Sequence, residues 1–162
     1  MSRTPALLCI DDNVLGLAVR KAMLESRDYR VFIADNGPAG IEIACSEKID
    51  LVILDYEMPE MDGSRVAQHL RGRCSHIPIL LLTGFPGRIP KSLLQVVDGF
   101  IVKGSSPEVL LKEIERITSA PAKTVSAPAP LDVRGRRVKQ ASRARLRSRP
   151  PLRSCRQKRK RN

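Results

Sequence analysis

The sequence has no apolar stretch that approaches the roughly 18 residues of a membrane-spanning helix. The apolar run before the Asp pair at positions 11 and 12 is also too short for a secretory signal. We therefore interpret the chain as a cytoplasmic protein without a membrane span. The four cysteines are scattered and none forms a CxxC pair, so without an export signal we expect free thiols. They are Cys9, Cys45, Cys74 and Cys155.

The last part of the sequence lacks aromatic residues and almost lacks acids. Residues 121–162 carry a formal charge of +14, whereas residues 1–120 carry −2. Residues 120–133 are rich in Ala and Pro, which is typical of an extended linker. Residues 134–162 have no aromatic residue and few large aliphatic ones, too little apolar area to offset the entropy lost on ordering. We predict a basic disordered tail there, after a globular domain at residues 5–119.

Short apolar runs alternate with helical patterns through that domain. Runs without polar interruptions are typical of parallel strands covered on both faces. The predicted strands are residues 6–10, 31–34, 51–54, 77–82 and 99–102. Five βα units of this length predict an α/β fold with a doubly wound parallel sheet.

The predicted helices lie between the strands. The first has an apolar stripe at i, i+3, i+4, i+7 and i+8, which consists of Leu15, Ala18, Val19, Ala22 and Met23. A second, weaker helix is centred on Ile41, a third on residues 66–70, and a short fourth covers residues 91–97. The fifth begins after Ser106 as N-cap and has a buried stripe of Leu110, Leu111, Ile114 and Ile117.

Three carboxylates follow two of the predicted strands. Asp11 and Asp12 come after the first strand, and Asp55 ends the third. Ligand sites of open α/β sheets form at the carboxyl ends of the strands, so neighbouring strands would bring these acids together. Grouped carboxylates repel one another, and Mg²⁺ with its preference for oxygen ligands relieves that repulsion. A single Asp at such a position is as readily a cap or a turn former.

Two further polar residues stand at strand ends. Thr83 ends the fourth strand and Lys103 the fifth, and a hydroxyl with an ammonium group suits phosphoryl oxygens. Alternatively, Thr83 satisfies a strand end and Lys103 is a solvated loop charge. The segments LLCIDDN, LVILDYEMPEMDG, IPILLLTG and FIVKG resemble the blocks of the response-regulator receiver family, in order and spacing.

This resemblance implies a five-stranded flavodoxin-like sheet in the order 2-1-3-4-5. It also implies a phosphoacceptor of two-component phosphorelay signalling that is not an enzyme, except that it assists its own phosphorylation and dephosphorylation. Asp55 matches the phosphorylated aspartate. Asp12 matches the direct Mg²⁺ ligand, Asp11 the ligand that acts largely through water, and the backbone carbonyl of Glu57 the group that completes the metal site.

The resemblance implies switch residues and partners as well. Thr83 and Lys103 match the pair that binds the phosphoryl group, Gly84 the small residue that leaves room for it, and Phe100 the switch aromatic. The phosphodonor would be a histidine kinase or a phosphotransfer protein. The output partner, which is unknown, would bind the face formed by the fourth helix, the fifth strand and the fifth helix.

Three features depart from the family pattern. Gly104 stands where the family usually has a proline after a cis peptide bond. A non-proline cis bond costs about 2.5–4 kcal/mol, so we expect a trans bond here and a different placement of Lys103. Glu57 places a carboxylate beside the phosphorylation site, where it would repel attacking water or phosphoryl groups. We therefore expect altered dephosphorylation. The segment between Thr83 and Lys103 contains two prolines, so we expect a short fourth helix and an atypical output face.

Two other functions are possible for this sequence. The clusters RGRR, RARLRSR and RQKRKR at residues 134–162 would attract phosphates, so the chain could be a nucleic-acid-associated protein whose receiver-like body is an interaction module. Without aromatic residues for base stacking, such binding would be non-specific. A small hydrolase on the same fold is disfavoured, because Glu57 stands where a phosphatase of the haloacid dehalogenase type has its second Asp.

Overall fold

The computed structural model describes residues 3–119, in which five parallel strands alternate with helices. The strands are β1 (Ala6–Ile10), β2 (Arg30–Ala34), β3 (Leu51–Asp55), β4 (Ile79–Thr83) and β5 (Gly99–Val102). The α-helices are α1 (Val14–Glu25), α2 (Gly37–Ser46), α3 (Gly63–Arg73), α4 (Lys91–Leu94) and α5 (Pro107–Ser119). A 3₁₀ turn at Pro86–Arg88 precedes α4.

The strands form one sheet in the order β2-β1-β3-β4-β5, which confirms the predicted fold. Every neighbouring pair is parallel, and Ile10 pairs with Leu54, the residue before Asp55. β1 and β3 are therefore adjacent and end at the same level. This register brings the loops after β1 and β3 to one edge of the sheet.

Helices cover both faces of the sheet. Alternate strand residues such as Leu8, Val52 and Leu81 pack in one hydrophobic cluster with residues of α2, α3 and α4. The other strand residues, such as Leu7 and Ile53, pack on the opposite face with residues of α1 and α5. Because both faces are covered, the three central strands are buried throughout, which explains their uninterrupted apolar sequences.

The predicted buried face of α1 is wrong. Leu15 is 75% exposed and Val19 is 63% exposed, whereas Leu17 and Leu24 are the buried residues of this helix. The helix carries apolar residues on more than one side, so its spacing alone allows two stripes. Contact with β1 and β2 selects the stripe of Leu17 and Leu24, whereas Leu15 and Val19 face solvent.

The remaining helices follow the predictions more closely. α5 buries the four residues expected of it, and α3 buries Val66, Ala67 and Leu70. β4 begins at Ile79, two residues later than predicted, and α4 is only four residues long. α4 ends early because the amides of Val96 and Val97 both donate to the carbonyl of Leu93 and close the turn there.

One partly buried ion pair joins α3 to the segment before β5. Arg71 Nη2 lies 2.6 Å from Asp98 Oδ2, which also accepts a hydrogen bond from the amide of Ile79 at 2.9 Å. The same guanidinium donates to the carbonyls of Val96, Ile77 and Ser75. These bonds tie the starts of β4 and β5 to each other and to α3.

Of the predicted domains, the structure describes only the globular domain at residues 5–119. The described elements run from Ala6 to Ser119. The predicted linker at residues 120–133 and the predicted basic tail at residues 134–162 lie outside the described residues. Within residues 3–119, no helix is both long enough and apolar enough to cross a membrane.

Candidate functional site

Three carboxylates meet at the carboxyl edge of the sheet, as the sequence predicts. Asp11 follows β1 directly, Asp55 is the last residue of β3, and Asp12 comes next to Asp11. One oxygen of each lies within 4.8 Å of the others. Asp11 is 3% exposed and Asp55 is fully buried, whereas Asp12 is exposed. The cluster therefore has two acids at its base and one at its mouth.

Asp11 is held by groups from α1 and its cap. Its Oδ1 accepts a hydrogen bond from the amide of Asn13 at 2.9 Å, and its Oδ2 lies 3.2 Å from Arg20 Nη2. Arg20 is not among the site residues predicted from the sequence. Its position, three residues after Leu17 and four before Leu24, puts it on the buried stripe. An arginine there is the signal that would have found it, once the correct stripe was known.

Asp55 is bonded on both oxygens. Lys103 Nζ donates to its Oδ2 at 2.7 Å, and the amide of Glu57 donates to its Oδ1 at 3.2 Å. Burial raises the pKa of Asp55 above its usual value, and Asp11 adds to the rise, although the hydrogen bond from Lys103 opposes it. Burial alone would lower the pKa of Lys103, but the bond to Asp55 and the nearby carboxylates raise it overall.

Lys103 reaches Asp55 without a cis peptide bond. The bond between Lys103 and Gly104 is trans, as expected, and Gly104 has a φ of +88°, which glycine adopts readily. The amide of Lys103 donates to the carbonyl of Thr83 at 2.7 Å, which anchors the start of this loop to the end of β4. The expected displacement of Lys103 is therefore wrong, because the loop with a trans bond still brings the lysine to the acidic cluster.

The side chain of Glu57 lies among the same polar groups. Its Oε1 accepts a hydrogen bond from Thr83 Oγ1 at 2.9 Å, and its Oε2 accepts one from the amide of Gly84 at 3.1 Å. Lys103 Nζ lies 3.7 Å from Oε2. Partial burial pushes the pKa of Glu57 upward, but the donors of Gly84 and Thr83 bring it below its usual value. This carboxylate is predicted from the sequence to lie beside the site, but its hydrogen-bond partners are not.

Two glycines border the cluster. A Cβ atom on Gly63 would lie 2.4 Å from the carbonyl oxygen of Asp55, so no side chain fits there without moving the end of β3. The amide of Gly63 also donates to the carbonyl of Tyr56 at 3.0 Å. A Cβ on Gly84 would lie 4.0 Å from both carboxylate oxygens of Glu57, at the edge of the same polar space.

Phe100 lies on β5, opposite Leu81, and its side chain is 45% exposed. Phe85, Leu94 and Val102 are also exposed apolar residues of the segments around β4, α4 and β5. The structure thus gives Phe100 a solvent-facing position. Its role as a switch stays a prediction, as does metal ligation by the carbonyl of Glu57.

The chain belongs to the response regulator receiver domain family, whose profile matches residues 7–115. Members of this family act in two-component systems, are phosphorylated on an aspartate, bind Mg²⁺ at the acidic site and interact with histidine kinases or phosphotransfer proteins. They are regulatory phosphoacceptors. The resemblance inferred from the four sequence segments is therefore confirmed.

Curated relatives with similar sequences include kinases and regulators. The sensor histidine kinase GacS of Pseudomonas protegens is 32% identical over 72% of this chain, which spans only 14% of the kinase. The transcriptional regulatory protein RprY of Bacteroides fragilis is 34% identical over 68% of this chain and 48% of that protein. The two-component response regulator ORR11 of Oryza sativa is 29% identical over 70% of this chain and 80% of that protein.

Solved structures agree with the fold. The response regulator TrrA of Thermotoga maritima, solved in complex with Mg²⁺-BeF, is 27% identical with a TM-score of 0.66, over 70% of this chain and 99% of that one. The chemotaxis response regulator CheY4 of Vibrio cholerae is 28% identical with a TM-score of 0.65, over 71% of this chain and 99% of that one.

Proposed function

We propose that this chain accepts a phosphoryl group on Asp55 from the phosphohistidine of a histidine kinase or a phosphotransfer protein, in the presence of Mg²⁺. The observation that carries this proposal is a cluster of three carboxylates with one oxygen of each within 4.8 Å of the others, and with the Lys103 ammonium group 2.7 Å from Asp55. Neutral side chains would stabilise the fold better at these positions, because grouped buried charges destabilise a fold. The acidic cluster is therefore better explained by function than by stability.

The residues present fit Mg²⁺. They offer carboxylate oxygens within 4.8 Å of one another, and a hard divalent cation prefers such ligands. Asp12 is exposed, so ligand exchange with water at the mouth of the cluster is unobstructed. Asp11, Asp12 and Asp55 would hold the ion, together with the Glu57 carbonyl. When bound, Mg²⁺ neutralises charge on the phosphoryl oxygens during transfer.

The residues of the chain divide the work as follows. Asp55 attacks the phosphorus with one carboxylate oxygen, and the phosphohistidine nitrogen leaves with the electrons of the broken bond. Lys103 already donates a hydrogen bond to the Asp55 carboxylate and can donate one to a phosphoryl oxygen once Asp55 carries the phosphoryl group. Thr83 and the amide of Gly84 supply two further donors at the end of β4. The acyl phosphate would thus be bound by donors from two neighbouring strands.

Before phosphorylation, the Glu57 carboxylate accepts the hydrogen bonds of Thr83 and Gly84. It also lies near Lys103, and these three residues supply the groups that the phosphoryl oxygens would need. We infer that transfer to Asp55 displaces the Glu57 side chain. The move releases Thr83 and Gly84 to the phosphoryl group, and the resulting change at the end of β4 would alter the surface around Phe100 and α4.

The exposed apolar stripe of α1 supplies a docking surface beside the cluster. Val14, Leu15 and Val19 are each more than half exposed, and α1 starts two residues after Asp12. An apolar surface adjoining the reactive carboxylate suits a protein donor, which must bring its phosphohistidine to Asp55. The output partner would bind elsewhere, at the face of α4, β5 and α5.

Phosphorylation by a radiolabelled phosphodonor with Mg²⁺ tests the proposal. Wild type should take up label that Asp55→Asn does not, and chelation of the metal should abolish uptake. Asp28→Asn is the matched control, because Asp28 is exposed and has a φ of +63°, which asparagine tolerates. Equal labelling of wild type and Asp55→Asn would refute the assignment.

Nucleic-acid binding through residues 134–162 remains the alternative. It is supported by the charge of that segment alone, which lies outside the described residues. Salt-dependent binding to unrelated DNA sequences, unchanged by Asp55→Asn, would favour it.

A further inference from the structure

Two cysteine sulfur atoms lie in contact on the side of the sheet covered by α2 and α3. Cys45 Sγ and Cys74 Sγ are 2.7 Å apart, although 29 positions separate the residues in the sequence. Non-bonded heavy atoms normally pack at about 3.5–4.0 Å, and a disulfide bond measures about 2.05 Å. Both cysteines are free thiols here. Their sulfur atoms lie closer than two non-bonded atoms usually do, but farther apart than the two sulfurs of a disulfide bond.

The fold, and not a loose loop, holds these sulfurs together. Cys45 lies in the last turn of α2, and Cys74 is the C-cap of α3, with its amide bonded to the carbonyl of Leu70 at 2.7 Å. The two helices pack in one hydrophobic cluster that includes Ala44 and Cys74. An ion pair between Glu42 and Arg73, at 3.1 Å, joins the same two helix ends.

The two thiols differ in their access to solvent. Cys45 is exposed, whereas Cys74 is buried, so a dissolved oxidant meets Cys45 first. Burial, together with the contact to Cys45, raises the pKa of Cys74 to about 11. Cys74 is therefore a poor first nucleophile but is already in place for attack on a modified Cys45. An exposed thiol beside a protected resolving thiol is the arrangement of reversible thiol sites.

We propose that Cys45 and Cys74 form a thiol modification site, at which a peroxide or a small-molecule disulfide closes a reversible disulfide bond. With hydrogen peroxide, the Cys45 thiolate attacks one oxygen, the O–O bond breaks, and Cys45 sulfenic acid and hydroxide form. Cys74 sulfur then attacks the Cys45 sulfur, the S–O bond breaks, and hydroxide leaves. The two thiol protons convert both hydroxides to water. The thiols lose two electrons and the peroxide gains two.

The bond would enclose the segment that carries the phosphoacceptor without touching it. The loop closed by Cys45 and Cys74 includes all of β3, Asp55 and α3. The cysteines lie at the ends of their helices, and the amide of Ile77, just before β4, donates to the carbonyl of Cys74. This is the amino edge of the sheet, opposite to the acidic cluster. Oxidation should therefore stabilise the segment and leave phosphorylation of Asp55 intact.

Oxidation of the full chain followed by peptide mapping tests this site. The chain is treated with hydrogen peroxide or oxidised glutathione, free thiols are alkylated, and trypsin is added without reductant. We expect one cross-linked species that joins residues 31–48, which contain Cys45, to residues 74–88, which begin with Cys74. Dithiothreitol should separate the two peptides. A Cys155→Ser chain should behave identically, because that thiol takes no part.

The Cys45→Ser chain is the decisive variant, since its substitution is exposed and should not disturb the core. In it, Cys74 should be recovered as a free thiol after oxidation, and oxidation should no longer raise the Tm. Recovery of Cys45 and Cys74 as separate alkylated peptides from oxidised wild type would overturn the proposal. So would cross-linking of Cys45 to Cys155, or the same yield of cross-link when oxidation is carried out in denaturant.

Discussion

Replacement of Glu57 by alanine should strengthen binding of a phosphoryl group at Asp55. The Glu57 carboxylate accepts hydrogen bonds from Thr83 and Gly84 and lies 3.7 Å from Lys103. A phosphoryl group on Asp55 can use these donors only after Glu57 has left them. In the alanine variant the donors are available from the start, so the cost of displacement is absent.

The size of the effect follows from those contacts. Net contributions of hydrogen bonds to a charged group are about 1.5–3 kcal/mol each when the group is buried. The Glu57 side chain is 35% exposed, and the displaced carboxylate regains water, so most of that free energy is recovered. About 1 kcal/mol should remain for the whole set, which corresponds to roughly fivefold tighter binding. Relief of charge repulsion acts in the same direction.

Binding of beryllium fluoride, a phosphoryl analogue, measures this equilibrium by fluorine NMR with Mg²⁺ held constant. Glu57→Ala should bind about fivefold more tightly than wild type, by the same free-energy estimate. Glu57→Gln, which keeps an acceptor but no charge, should lie between them. Glu60→Ala is the control, since Glu60 is exposed on the same loop and its side chain has no hydrogen bond among residues 3–119.

Equal or weaker binding by Glu57→Ala would refute the view that this carboxylate competes for the phosphoryl donors. A second readout uses the lifetime of the acyl phosphate. If Glu57 repels attacking water as well, Glu57→Asn should shorten that lifetime. An unchanged lifetime would show that the carboxylate has no part in dephosphorylation.

Three further predictions concern stability and partners. Burial raises the pKa of Asp55, so the folded state favours the protonated carboxyl and loses stability as the pH rises through that pKa. In Mg²⁺-free buffer at pH 7, Asp55→Asn should therefore have a higher Tm than wild type, and the difference in Tm should narrow in acid. A lower Tm for Asp55→Asn at pH 7 would contradict this. Leu15→Asp should slow phosphotransfer from a histidine kinase at least tenfold but leave labelling by a small-molecule phosphodonor unchanged; equal losses with both donors would exclude a docking role. Arg71→Ala should lower the free energy of unfolding by about 2–4 kcal/mol, measured by urea denaturation, because Asp98 loses its partner, whereas Arg65→Ala on the exposed side of α3 should change it little.

The positions of the acidic residues could be predicted because they depend on few assumptions. Apolar runs fix the strands, and parallel strands place all their carboxyl ends at one edge. Asp11 and Asp55 therefore meet whenever β1 and β3 are neighbours. Lys103 and Thr83 follow from the same rule, since Thr83 ends β4 and Lys103 directly follows β5.

The face of α1 could not be predicted, because the helix is apolar on two sides. Leu15 and Val19 form one stripe, and Leu17 and Leu24 form another. Only packing against the sheet decides between them. The residues left outside are an apolar surface that spacing alone assigns to the core.

Side-chain contacts of the loop after β3 and of the helix ends could not be predicted from the sequence, for a different reason. The side chain of Glu57 reaches Thr83 from the loop after β3, across 26 positions of the sequence. Likewise, the approach of Cys45 to Cys74 depends on how two helices end. Neither contact has a periodicity or spacing that a reader of the sequence could detect.

The charges of the site explain why a divalent cation and Glu57 belong to one mechanism. Two cations, Arg20 and Lys103, face four carboxylates, so the ionised site has a net charge of −2 before any ligand binds. A single bound Mg²⁺ ion would balance that charge. Phosphorylation makes Asp55 more negative by about one charge, and the excess is relieved if the exposed Glu57 carboxylate swings into water. On this reasoning Asp11, Asp12 and Asp55 would hold an ion that offsets the charge of the incoming phosphoryl group, and departure of Glu57 would be the change that the rest of the domain registers.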